Sequence, residues 1–169
     1  SHAAIKEDAD LLKSTFKREF IFRVDVDFDT AFDDCLATLA ARGYVDVSEE
    51  NTIIIQNREK LELLSGFLDS FIEAYWATLG AITELRRFPL WEKELMNRAL
   101  EQTRRAFLEG KLKRPEAANK TLISSSLSWL QDKGVIIVHG GDKKRTIALS
   151  EAYEGPELDA LRDSLGRFL

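Results

Sequence analysis

Hydrophobic positions recur at three- and four-residue steps through residues 61–82, LELLSGFLDSFIEAYWATLGAI: Leu61, Leu64, Leu68, Phe71, Ile72, Tyr75, Leu79 and Ile82. That period marks one face of a helix. Leu63, Phe67, Ala74, Ala77 and Ala81 add a second apolar side, and only Glu62, Asp69 and Glu73 are charged. The pattern predicts a long helix buried nearly all round, a central rod for the rest of the chain. Its length also suits a membrane span. Asp69 and Glu73 near its middle would each cost about 3 kcal/mol in lipid, which favours the core helix.

Upstream, residues 7–18 read as a short helix with Leu11, Leu12 and Phe16 on one side. EFIFRVDV (19–26) alternates Phe20, Phe22, Val24 and Val26 with Ile21, Arg23 and Asp25, which predicts a strand. Asp25, Asp27 and Asp29 also alternate. A calcium loop of the EF-hand type would need Gly and Glu where Thr30 and Leu36 stand, so these acids are read instead as helix-start chemistry. Asp29 or Thr30 is the expected cap of a helix over 31–42, with Phe32, Leu36 and Leu39 as its stripe and Gly43 as its stop. YVDV (44–47) and TIIIQN (52–57) then predict a hairpin.

The same order returns. A helix over 121–133 carries Ile123, Leu127 and Leu130, and Gly134 ends it; VIIV (135–138), a turn through Gly140-Gly141-Asp142, and RTIALS (145–150) follow. A constant shift of 91 residues aligns Phe32 with Ile123, Leu36 with Leu127, Leu39 with Leu130, Val45 with Ile136, Val47 with Val138 and Gly43 with Gly134. This predicts an internal repeat of helix, glycine stop and hairpin. Before the second copy, residues 90–108 read as a helix with Trp91, Leu95, Ala99 and Phe107 inward and Gly110 as stop, and Pro115 opens a short helix. Helix, short helix, helix, hairpin is the order of a winged helix. After Gly155-Pro156, Leu158, Leu161, Leu165 and Phe168 form the stripe of a terminal helix. Pro89 makes 84–91 a bend that ends the central helix before Phe88. The expected fold is therefore α+β, mainly α: two winged-helix-like helix/hairpin units, 1–60 and 89–169, packed on a central hydrophobic helix, 61–88.

Composition narrows the function classes. The chain is 44% hydrophobic and 31% charged, an ordinary globular balance, and its net charge of −5 argues against a general nucleic-acid binder. Cys35 is the single cysteine, so no internal disulfide forms. The polar N-terminus has no signal-peptide pattern. Ser1-His2-Ala3 resembles the remnant of a purification tag, so the expectation is a piece of a longer protein, and His2 is set aside as a site residue.

No nucleophile–base set emerges. Ser124, Ser125 and Ser126 lie in a helix and read as its polar face, and His139 opens the wing turn HGGDKK. One cysteine and one usable histidine make no zinc site. Gly140-Gly141 with Lys143-Lys144 is followed by a strand, whereas a phosphate loop leads into a helix. The sequence therefore predicts no catalytic residues, no metal and no cofactor. Two groups remain as candidates. Asp69 and Glu73 are expected buried charges, needing a partner such as Arg86, Arg87 or Arg98. Arg98, Arg104, Arg105, Lys111, Lys113, Arg114 and Lys120 form a basic cluster facing either solvent, a partner domain or an anionic lipid surface. Lys120, Ser124, Ser125, Ser128, Gln131 and Asp132, on the helix that would enter a groove, include no arginine to read guanine.

LLKSTFKREFIF (11–22), GFLDSFIEAYWATL (66–79) and LEGKLKRPEAANKTLISSSLSWLQDKGVI (108–136) resemble, in that order, the C-terminal region of membrane-bound glycerol-3-phosphate acyltransferases and their dihydroxyacetone-phosphate relatives. The resemblance implies a parent enzyme dependent on acyl-CoA or an acyl carrier and associated with a membrane. The family's catalytic pattern is His, four residues, Asp. Here Lys144 follows His139 at that spacing and Glu7 follows His2, so no catalytic role transfers. The resulting expectation is a non-catalytic accessory domain for phospholipid synthesis, on the cytoplasmic side of a membrane, with the catalytic domain of the same protein and an anionic membrane surface as partners and no nucleic acid. The alternative from another class is a cytosolic tandem winged-helix interaction module or regulator.

Overall fold

A computed structural model describes residues 1–169 apart from Val24, Asp142 and Lys143. The parts of the predicted strand and wing turn that fall on those three lie outside the described residues. The chain is 62% helical with two small antiparallel sheets, an α+β fold that is mainly α. It forms two compact units, Ser1–Phe67 and Leu68–Leu169, and the boundary falls inside one helix.

The first unit holds α1 (His2–Thr15), α2 (Phe28–Ala41), β1 (Val45–Val47), β2 (Ile53–Ile55) and the opening turns of α3 (Arg58–Ile82). Asp27, rather than Asp29 or Thr30, caps α2: its Oδ1 accepts the Thr30 N–H at 3.0 Å and its Oδ2 the Thr30 hydroxyl at 2.7 Å. β1 and β2 pair antiparallel, Val45 opposite Ile55 and Val47 opposite Ile53.

The predicted strand over 19–26 is not formed by its described residues. The Glu19 and Phe20 N–H groups both return to the Phe16 carbonyl, so the chain closes a turn on the end of α1. The alternating phenylalanines serve an aromatic cluster instead: Phe20 meets Phe16 edge-on at 6.4 Å and Phe22 at 6.5 Å, and Ile21 is fully exposed. Alternation without a partner strand leaves backbone groups unpaired, and the chain takes the local turn.

The second unit contains the rest of α3, a 3-10 turn (Thr83–Arg86), β3 (Leu90–Trp91), α4 (Glu92–Leu108), a 3-10 turn (Pro115–Ala117), α5 (Lys120–Asp132), β4 (Ile136–His139), β5 (Thr146–Leu149), a 3-10 turn (Glu151–Tyr153) and α6 (Glu157–Gly166). Its sheet runs β3-β5-β4. Leu90 and Trp91, expected as the start of a helix, pair with Ile147 and Thr146 in β3. Trp91, expected inward, is half exposed, whereas Leu95 and Ala99 of α4 are fully buried. Ser126, read as part of a polar face, is buried and donates its hydroxyl to the Ile123 carbonyl at 2.8 Å, which satisfies it inside the helix.

α3 is buried unevenly. From Ile72 to Ile82 nearly every residue is enclosed, with Tyr75, Leu79 and Ile82 at zero exposure. The N-terminal turns differ from the expectation of burial all round: Leu63 is 72% and Phe67 73% exposed. Among the described residues no helix is long and apolar enough to cross a membrane.

Candidate functional site

Three helices end at glycine in the same way. Gly43, Gly110 and Gly134 have φ of 68°, 72° and 69°, the left-handed region that a side chain makes costly. In each, the glycine N–H bonds the carbonyl three residues back, and the next N–H reaches the carbonyl five back. At Gly110 this turn throws the chain from α4 onto α3. Leu112 follows and is buried against Ala77 and Ala106, with Trp76 and Phe107 beside them.

The next two residues meet the expected buried charges. Glu73 is 2% exposed, and its Oε1 accepts the Lys113 N–H at 2.7 Å and its Oε2 the Arg114 N–H at 2.9 Å. Asp69, one turn earlier on α3, accepts the Arg114 Nε and Nη2 groups at 3.1 and 3.0 Å. Asp69 is only half-buried. Arg86, Arg87 and Arg98 do not serve these acids. Arg86 pairs with Asp159 at 2.8 Å, and Arg98 bridges Glu84 and Glu94. Main-chain N–H groups satisfy both oxygens of the buried carboxyl without a second charge to desolvate. The structure is a clamp: two carboxylates a turn apart on α3 hold the segment that joins α4 to α5.

Most of the basic cluster is paired within the chain, largely at its surface. Arg105 and Lys111 both bond Glu109, at 2.8 and 2.7 Å, and Lys113 donates its Nζ to the Leu169 carbonyl. Lys111 first, then Arg105, hold the Glu109 carboxyl below the usual carboxylate range. Glu94 and Glu84 raise the Arg98 guanidinium above its ordinary value. Arg104 and Lys120 are exposed and have no ion-pair partner among the described residues. His139 ends β4 and is exposed, while His2 stands beside Asp33 at 3.5 Å and edge-on to Phe32. Among the described residues no group of three or more His, Cys, Asp or Glu is placed to hold a metal ion.

A family model for the glycerol-3-phosphate acyltransferase C-terminal region matches residues 1–139. The chain belongs to that family. The match covers α1 through β4, so this C-terminal region includes the clamp, the three glycine stops and the whole basic cluster. No curated protein matches the chain. Sequence reasoning on this acyltransferase C-terminal region missed one group. Arg162 on α6 lies over the Trp76 ring at 4.1 Å, and its Nε is buried without a partner. Gly80 is the one signal that pointed there. A glycine inside a buried helix marks a close approach, and an added Cβ would stand 2.6 Å from Gln102 Nε2 and 3.2 Å from Arg162 Nη2.

Proposed function

We propose that this chain is a non-catalytic accessory domain of a glycerol-3-phosphate 1-O-acyltransferase of phospholipid biosynthesis, and that it packs on the acyltransferase domain and positions it. The carrying observation is the family match over residues 1–139 in a chain where neither histidine is followed by aspartate at the catalytic spacing. Helix, 3-10 turn, helix and hairpin with a third short strand support a winged-helix-like reading of the second unit, used as a protein-docking module. The parent acts at the cytoplasmic side of a membrane on this reading. Intramolecular pairing of most of the basic cluster favours the catalytic domain as the main partner over an anionic lipid surface.

Two measurements test this. The purified chain is expected to show no esterification of glycerol 3-phosphate by an acyl donor; turnover would overturn the reading. Added in trans to an acyltransferase domain truncated before this region, it is expected to bind and to restore activity. Full activity of that truncated domain, with no binding, would refute the accessory role.

A further inference from the structure

A groove of about 950 Å3 opens in the second unit between α3, α4 and α6. Its cations divide sharply. Arg98, Arg105 and Lys111 on its wall are all paired with carboxylates. Arg162 is not: among the described residues it has no ion-pair or hydrogen-bond partner, and its Nε is buried. A guanidinium carries five donors and no acceptor, so a partly enclosed one without an oxygen facing it is an open demand. The Trp76 ring holds that guanidinium over its face, with the guanidinium carbon 4.1 Å from the ring centre. Gln102, also in the wall, brings Nε2 toward the same point above Gly80 that Arg162 Nη2 approaches. Both donors lie in the space that a side chain at position 80 would take, which sets them close enough together for one carboxylate at the groove side to meet both.

We propose that this groove takes the carboxylate of an acidic side chain from a partner polypeptide, held by Arg162 and Gln102 beside Trp76. A guanidinium held on a ring face offers the planar fork that a carboxylate fits. The remaining walls select against a doubly charged phosphate, because Glu84, Glu101 and Glu109 line the same groove. Ala77, Ala106 and the Trp76 ring supply an apolar strip for the stem and backbone of a peptide, and the volume far exceeds one carboxyl group. The site does not rest on the accessory-domain reading, since it is argued from Arg162, Gln102 and Trp76 alone; Arg162 lies beyond the residues that match the family, and the other two lie within them.

The test is the Arg162 Nε–H cross-peak in nitrogen-15 spectra of the full chain, assigned by its loss in Arg162→Lys. Three probes are titrated: acetyl-Ala-Glu-Ala-amide, acetyl-Ala-Gln-Ala-amide and inorganic phosphate. The glutamate peptide is expected to give a saturable shift, the glutamine peptide none, and phosphate binding at least ~10-fold weaker, the size of one charge-assisted hydrogen bond. Gln102→Leu, a substitution on the groove wall, is expected to weaken the glutamate peptide about 5- to 10-fold with the rest of the spectrum unchanged. Equal shifts with both peptides would overturn the proposal, since charge would then play no part. Tighter binding of phosphate than of the glutamate peptide would make the groove a phosphate site instead. Absence of any shift with the glutamate peptide would also refute it.

Discussion

The two helix–glycine–hairpin blocks, α2 to β2 and α5 to β5, share a local form and differ in depth. Their stops are superposable in detail: Gly43 and Gly134 differ by one degree in φ, and their capping bonds run from equivalent donors to equivalent carbonyls, Ala40 with Gln131 and Leu39 with Leu130. The stripes are not equally covered. Ile123 and Leu130 are fully buried, whereas Phe32 and Leu39 are half-buried. β4 has β5 beside it and β3 beyond, whereas β1 has β2 alone. A short glycine-capped helix and a hairpin are thus specified locally, and the core beneath them is supplied by whatever else covers it. In the second unit α4, α6 and the Ile72–Ile82 part of α3 contribute buried side chains; in the first, α1 offers mainly Thr15 and Phe16.

Truncating equivalent leucines gives the largest contrast. Leu130→Ala is expected to cost about 3–4 kcal/mol in the second unit, and Leu39→Ala about 1 kcal/mol in the first, since the second leucine keeps partial contact with water in the native state. Amide hydrogen exchange read separately in each unit checks this, and equal losses would erase the difference in depth. Glu73→Gln comes next. It replaces one of two acceptor oxygens by a donor facing an N–H, at an expected cost of about 2 kcal/mol confined to the second unit. Faster exchange at Lys113 and Arg114, with the first unit unaffected, is the outcome to look for. A third pair tests the likeness of the blocks. Gly43→Ala and Gly134→Ala are each expected to cost about 1 kcal/mol, because both sites are spatially open and both pay only for the left-handed backbone. A penalty several times greater at one would show that the two stops are held differently.

The smallest effect concerns pH. α2 is capped by Asp27 and α5 by Asn119, whose side chain accepts the Thr121 N–H at 2.7 Å. The Thr30 N–H, and then its hydroxyl, hold the Asp27 carboxyl below its ordinary value. A lowered carboxyl stabilises the folded form above the pKa of the unfolded chain, and that contribution disappears as pH falls through the folded pKa. Acidification is therefore expected to fray the N-terminus of α2 while that of α5 holds, read as exchange at Thr30 against Thr121. Asp27→Asn is expected to remove the asymmetry.

Much of this was legible before any coordinates. The helical period through 61–82, the glycine stops and both hairpins follow from local rules, and α2, α4 and α5 begin within a few residues of the predicted positions. What escaped depends on partners distant in the chain. The alternation at 19–26 looks like a strand, but only a neighbouring strand makes it one. Leu90 and Trp91 are a strand for the opposite reason, because β5 stands beside them. Burial along α3 was read from composition, which says that Leu63 and Phe67 are apolar and nothing about what covers them. Glu73 was expected to find an arginine. Its partners are peptide groups, and these have no letter in the sequence. Arg162 and Trp76 meet only through the fold of α6 on α3.

Because Glu73 grips the main chain, the tether between α4 and α5 at positions 113 and 114 survives a change of side chain there, although a change at 114 gives up the Asp69 pair and one at 113 the bond to Leu169. Evolution or design can repaint that rim, altering its charge or bulk, without moving it. Proline is the exception at either position, since it alone would take away the N–H by which the strip is tethered. The domain thus carries a short strip whose lettering can change at the cost of two side-chain contacts while its backbone mount stays put.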